Sequence, residues 1–251
     1  MTTTFYKMTE TSYVFKPTGG LGNTLIQLTS MGNGCTLLHD SVYDYELANC
    51  ITIHGFTRTS EEGQQPETPI YINGYTIKHV HSKIRDIIEP TPFMKKLIDD
   101  HVHLLNDVSC GISIRRGSYC EDSRQYKDDK GGTPNHFFCS EEGLEKFKRI
   151  IRSARGKVFV SSDSKSTMAD IKKEFGDKIV SIDSEFAMIM DQDNEDKLKS
   201  SDYHQTFLKF FLLSKCPVLF LTGGRTDFVG FSTFAYIAAI YGNKPFNAVF
   251  N

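Results

Sequence analysis

Three features are missing from this chain of 251 residues, and each absence removes a class of function. No apolar run approaches the roughly 20 residues of a membrane-spanning helix. The most apolar stretches, FLKFFLLSKCPVLFLT and FAYIAAIYG, are interrupted by Lys209, Lys215, Pro217 and Gly242. A basic excess is also missing. The formal net charge is -2, which argues against a protein that coats nucleic acid. Finally, none of the six cysteines lies in a C-x-x-C pair, so a structural zinc site is not expected. The N-terminal MTTTFYKMTETSYVF lacks the charged-then-apolar layout of a signal peptide. The cysteines are therefore expected to be reduced thiols in a cytoplasmic compartment. Hydrophobic residues at 39% and charged residues at 24% leave an ordinary soluble globular composition.

What is present is an alternation of strand and helix patterns. YVFKPTGGLGNTLIQLTSMG reads as strand, glycine turn (Gly19, Gly20, Gly22) and helix. Pro90 and Pro92 break the chain before a helix from Phe93 to about Asn106. Residues 111–114, GISI, form a strand, and a polar insertion, YCEDSRQYKDDKGGTPNH, follows soon after. A helix then opens on Ser140 as N-cap. KVFVSSDS is a strand, and KSTMADIKKEFG is a helix closed by Gly176. KIVSID, HQTFLKFFLLSKC, PVLFLTG and STFAYIAAIYG continue as strand, helix, strand and helix. This order predicts an α/β doubly wound sheet, whose ligands bind at the carboxyl ends of the strands.

Several segments there suit an anion. Arg115 and Arg116 follow a strand, where alternation sends them to opposite faces. One can enter a cleft as a planar cationic fork suited to a diphosphate, while the other pairs with a carboxylate. Both can equally be solvated loop residues. KPTGGLGNTLIQ offers backbone amides at a helix start. It lacks the Gly-Lys-Ser/Thr ending of a P-loop, and a plain tight turn is the simpler reading. Asp163 in VFVSSDSKS can accept from a ribose or a base, or cap the next helix, and capping is favoured. Ser232 and Thr233 start an apolar helix and suit N-capping, phosphate binding or both. The histidines His79, His81, His101 and His103 form two H-x-H pairs without a third ligand, so no metal is expected. The acidic run 190–197 reads as a solvated loop.

Taken in order, these segments resemble the α1,2/α1,6-fucosyltransferase and protein O-fucosyltransferase superfamily, most closely its bacterial-type α1,2 branch. GGLGN at 19–23 is similar to the family's glycine loop, and INGYTIKHVHSKIRDII to its Gly-Tyr … Ile-Arg segment. SIRRGSY, from Ser113 to Tyr119, is similar to its His-x-Arg-Arg-x-Asp motif. VFVSSDS and STFAYIAAIYG are similar to its Ser-Asp-Asp and Ser-Ser-Phe motifs. The resemblance implies a GT-B fold of two Rossmann-like domains facing a cleft, expected here at 1–106 and 107–251. It implies an inverting glycosyltransferase that needs no metal or other cofactor. The enzyme would move fucose from a nucleotide-sugar donor, GDP-fucose, to a glycan hydroxyl. Arg115 would be catalytic, binding the β-phosphate. Ser232, Thr233 and Phe234 would lie on the same diphosphate, and Gly20, Gly22 and Asn23 would approach it from the first domain. Ser113, Arg116 and Asp163 complete the expected donor-binding set.

The chain departs from the family pattern at Ser113 (for His), Ser118 (for Asp), Ser164 (for the second Asp) and Lys209 (for a guanine-reading acid). These departures keep open another GDP- or UDP-6-deoxyhexose donor, or a nucleotide-sugar-binding or glycan-binding protein without turnover. Candidates for the catalytic base are Asp40, Glu46, Glu121 and Asp122. The lack of a signal anchor fits a bacterial or virus-encoded enzyme better than a Golgi one.

Overall fold

In the computed structural model, residues 14–15, 21–31, 36–38, 47–54, 57–59, 83–116, 138–183, 200–224 and 231–251 are described. The strand β6, Val108–Ile114, is buried along almost its whole length. A strand covered on both faces needs a near-continuous apolar run, which is what parallel sheets with helices on each side impose. β6 pairs in parallel with β7 (Lys157–Ser162) on one side and β9 (Leu219–Gly224) on the other. With β8 (Ile179–Val180) and β10 (Phe246–Phe250) the sheet has five strands in the order β10-β9-β6-β7-β8. The chain therefore moves outward from β6 to β7 and β8, then returns to β9 on the opposite side. Such a reversal leaves a crevice between the carboxyl ends of the two central strands, here β6 and β9.

The N-terminal half carries two smaller sheets. β1 (Val14–Phe15), β2 (Thr36–Leu38) and β4 (Thr57–Thr59) form a parallel sheet in the order β1-β2-β4. β3 (Ile51–Ile53) pairs antiparallel with β5 (Ile88–Pro90). The helix α1, Leu21–Met31, forms where a helix was expected, but it already includes Gly22, which the sequence reading placed in the turn; Gly19 and Gly20 lie outside the described residues. A short α2, Ile84–Ile87, precedes β5. The proline-flanked helix α3 spans Pro92–His101 and ends in a 3-10 turn, Val102–Leu105. Thr91 caps it by accepting from the Met94 amide, and Pro92 fills the first turn, where no amide proton is needed.

Between β6 and β7 lies α4, Glu141–Ser153. Ser140 caps it as expected, accepting from the Gly143 amide. Glu141 and Glu142 in its first turn and Arg152 in its last complement the helix dipole. Leu144, Phe147 and Ile151 recur at helical spacing and form its buried face. The next helix, α5, spans Lys165–Phe175, and Gly176 ends it at φ 52°.

The helices α6 (Ser200–Lys215) and α7 (Thr233–Gly242) fill the space under β9. α7 and the second half of α6 are buried nearly all round, the mark of an interior helix. Tyr203, Phe207, Phe210, Phe211, Leu212 and Leu213 of α6 are buried, as is every residue of α7 from Ala235 to Ile240. Phe210 packs edge-on to Phe211 at 5.2 Å and against Tyr241 at 5.6 Å between ring centroids. One apolar cluster runs from Leu21, Leu25 and Ile26 of α1 through Ile84 and Ile87 to α6 and α7. β10 had no counterpart in the sequence reading. It is a half-exposed edge strand, so it lacks the strong apolar signal of β6 or β9. Cys50, Cys110, Cys139 and Cys216 are buried and unbridged. Among the described residues, no helix is long and apolar enough to cross a membrane.

The closest approach of α6 and α7 depends on Gly242. A Cβ there would lie 1.9 Å from the Ser214 carbonyl oxygen. Gly242→Ala must push the two buried helices apart, a loss of at least about 1–3 kcal/mol. Thermal unfolding should show a melting temperature several degrees lower. An unchanged value would place the contact elsewhere.

Candidate functional site

At the carboxyl end of β6 the two arginines part, and their surroundings differ. Arg116 is buried at 2% exposure. Its amide donates to Asp163 Oδ1 at 2.6 Å. Its guanidinium donates to the Cys139 carbonyl at 3.2 Å and to the Glu141 carboxylate. Arg116 thus ties the end of β6 to the end of β7 and the start of α4. Burying a guanidinium demands this degree of pairing.

Arg115 has the other face. Its amide donates to Thr222 Oγ1 at 3.0 Å, and its carbonyl accepts from the Cys139 amide at 2.7 Å. Its backbone is therefore fixed on both sides. The guanidinium carbon lies 5.2 Å from the centroid of the Phe138 ring, within range of a cation–π attraction. Its Nε is buried and has no hydrogen-bond partner among the described residues. A buried donor without an acceptor is rare, and here it belongs to a permanently charged fork.

The start of α7 lies beside this arginine because of Thr222. The carbonyl of Thr222 accepts from the Ser232 amide at 2.8 Å. Ser232 is buried and sits at the N-cap position, yet its hydroxyl makes no capping hydrogen bond. The simple capping reading of Ser232 is thus not what the geometry shows. The helix then begins with Thr233 and Phe234, and the Tyr236 amide closes the first turn on the Ser232 carbonyl at 3.2 Å.

Gly22, the second residue of α1, packs directly on that start. A Cβ on Gly22 would be 2.4 Å from the Phe234 amide nitrogen. Two helix N-termini therefore meet, each with roughly half a positive charge from its aligned peptides. Uncompensated, those ends repel. An anion between them would turn the repulsion into attraction.

The remaining sequence candidates distribute as follows. Ser113 is buried within β6, and its carbonyl accepts from the Thr222 hydroxyl at 3.3 Å. Asp163 does not cap α5. The cap is Ser164, whose extended backbone lets its hydroxyl accept from the Thr167 amide at 3.2 Å. Asp163 lies one residue too early for that role and holds Arg116 instead. Asn23 is in α1, and its side chain lies outside the described residues, as does Gly20. The base candidates Asp40, Glu46, Glu121 and Asp122, the pair His79 and His81, and the acidic run 190–197 also lie outside them. Among the described residues, no three His, Cys, Asp or Glu side chains gather as metal ligands. Sequence reasoning missed Thr222 and Phe138. Thr222 had a usable signal, a hydroxyl ending the apolar run PVLFLTG at the carboxyl end of a strand.

Lys209, on α6, is with Arg116 a buried cation among the described residues, at 8% exposure. Burial pushes its ammonium down to about 8, against the opposing pull of Asp183, Asp202 and Asp163.

No family model and no curated protein matches the sequence. Solved structures do match. The NodZ alpha-1,6-fucosyltransferase soaked with GDP-fucose superposes with a TM-score of 0.57 at 12% identity, over 93% of each chain. The fucosyltransferase NodZ from Bradyrhizobium gives 0.53 at 13% identity, over 92% of each chain. NodZ co-crystallized with GDP gives 0.53 at 12% identity, over 92% of each chain. The fold is GT-B. The GT-B fold expected from the motif series is thus the fold that this chain shares with those structures.

The buried lysine gives a signed pH dependence. Below about pH 8 Lys209 is charged in both the folded and the unfolded chain, and its burial opposes folding. Between about 8 and the ordinary value of 10.5 the unfolded chain holds more protons, so this group's contribution to stability rises with pH. Burial raises Cys216 and Tyr236 to about 12, which acts in the opposite direction in any variant that keeps them. Denaturant unfolding of the wild type and Lys209→Met from pH 7 to 10 removes their share by difference. The wild type should gain stability relative to the variant across that range. A constant difference would contradict the lowered ammonium.

Proposed function

We propose that this protein is an inverting, metal-independent fucosyltransferase that moves fucose from GDP-fucose to a glycan hydroxyl. The observation that carries the reading is the guanidinium of Arg115. The Arg115 backbone is held at the carboxyl ends of β6 and β9, and its buried Nε has no partner among the described residues. Support also comes from the fold shared with NodZ structures that were soaked with GDP-fucose or co-crystallized with GDP. The bacterial-type α1,2 branch rests on the motif series alone.

In this reading the halves 1–106 and 107–251 face each other across the cleft. The donor's diphosphate lies between Arg115 and the amides at the start of α7. Ser232, Thr233 and Phe234 contact it from one side, and Gly20, Gly22 and Asn23 from the other. The acceptor hydroxyl attacks the anomeric carbon opposite the diphosphate. As the new bond forms, the bond from carbon to the β-phosphate oxygen breaks, and GDP leaves with that electron pair. The hydroxyl proton passes to a base, for which Asp40, Glu46, Glu121 and Asp122 are the candidates. Negative charge grows on the departing diphosphate, so a fixed guanidinium stabilises the transition state more than the ground state. By analogy with an oxyanion-hole donor, that is worth about 3–4 kcal/mol. Arg116 and Asp163, first expected among the binding residues, hold the loop that carries Arg115. A reducing, cytoplasmic location fits the four buried, unbridged cysteines.

Lys209 supports one second reading, a donor with another nucleotide base. It stands where the α1,6 branch of the resembled family keeps an acid. A thermal-shift panel in EDTA with GDP, UDP and GDP-fucose separates the two. A ligand at 100 times its dissociation constant adds about 2.7 kcal/mol, or roughly 5–10 °C for a chain of this size. GDP should shift the wild type and UDP should not. Arg115→Ala should lose most of the shift and turnover while keeping its own melting temperature. Turnover of GDP-fucose should persist in EDTA. A shift with UDP alone would move the assignment to a UDP-sugar, and full activity in Arg115→Ala would remove that residue from the mechanism.

A further inference from the structure

Thr222 sits where the central ladder of the sheet stops. The parallel pairing of β6 with β9 ends at Ser113 and Leu221. One residue later the hydroxyl of Thr222 takes over from the backbone. It accepts from the Arg115 amide at 3.0 Å and donates to the Ser113 carbonyl at 3.3 Å. The Thr222 carbonyl accepts from the Ser232 amide at 2.8 Å. The residue is fully buried, and β9 is flanked by β10 and β6, so its backbone is fixed on both sides. A single residue thus holds two groups that are distant in sequence. They are the arginine at the end of β6 and the entry to α7.

We propose that Thr222 is a positioning residue that locks Arg115 in register with the start of α7, so that both meet the same diphosphate. The inference rests on the anion-site reading of Arg115 and deepens it. Thr222 touches no ligand. It acts through Arg115, because removing its hydroxyl takes the acceptor from the Arg115 amide and frees the backbone that aims the guanidinium. Valine has nearly the same shape but no hydroxyl, while serine keeps the hydroxyl without the methyl.

The test is a double-mutant cycle read by calorimetry with inorganic pyrophosphate in EDTA, a probe that presupposes neither base nor sugar. Thr222→Val should weaken pyrophosphate binding by about tenfold, the upper range for one hydrogen bond, and Thr222→Ser should restore it. In the Arg115→Ala background, Thr222→Val should cause no further loss, because its effect passes through that side chain. An equal loss in both backgrounds, or wild-type binding by Thr222→Val, would overturn the proposal. So would a Thr222→Ser variant as weak as the valine. If valine prevents folding, Thr222→Cys gives the same comparison with a much weaker acceptor. A wild type that ignores pyrophosphate would overturn the anion site and this inference together. Binding of pyrophosphate without release of GDP from GDP-fucose would overturn only the fucosyl-transfer reading.

Discussion

The hydroxyl of Thr222 joins the two strands between which the chain reverses direction, and the geometry around Arg115 follows from that join. β6 and β9 are adjacent in the sheet but 107 residues apart along the chain at this contact. The crevice at their carboxyl ends cannot be filled by backbone pairing, because the strands diverge there. A side chain that both donates and accepts satisfies the exposed ends of the ladder without closing the crevice. The same residue then uses its carbonyl to seat Ser232. With the strand ends and the start of α7 fixed together, the backbone of Arg115 has a defined place near a helix N-terminus.

Around that join the two arginines divide the work of one short loop. Arg116 is buried and donates to three acceptors, Asp163 past the end of β7 and Cys139 and Glu141 at the start of α4. Its role is mechanical, since the loop cannot shift without leaving a buried guanidinium or Asp163 unpaired. Arg115 gains the rigidity of that anchoring while its own Nε has no partner among the described residues. A charge that is fixed before any ligand arrives needs no reorganisation when charge develops nearby. The helices beneath serve the same end. α7 and the second half of α6 are buried almost all round and are packed closely enough that Gly242 has no room for a side chain. The start of α7 therefore stands on a rigid base.

Gly22 extends the arrangement into the N-terminal half. Its contact with the Phe234 amide brings the start of α1 against the start of α7. The apolar cluster that runs from α1 into α6 and α7 holds this contact from behind. Hydrophobic burial is non-directional and supplies the association. The absent Cβ supplies the direction, since no other residue permits so close an approach of one backbone to another.

By itself the sequence determined most of the helices and the central strands of the large sheet, and their order. Apolar runs set β6, β7 and β9, Ser140 and the pair Pro90 and Pro92 set helix starts, Gly176 set a helix end, and alternation of strands with helices set the doubly wound sheet. These signals are local, acting within about one helical turn or across one strand, so they are legible without the fold. Strand alternation foreshadowed that Arg115 and Arg116 would part, and the motif resemblance named Arg115 for the phosphate, but neither named their protein partners. Only the tertiary structure decided those. It paired Arg116 with Asp163 across 47 residues and set Arg115 against Thr222 across 107. It also gave the cap of α5 to Ser164 rather than Asp163 and joined β10 to the sheet edge. Each of those outcomes depends on which strand lies next to which, and strand order is set by packing between distant segments, where no local propensity reaches.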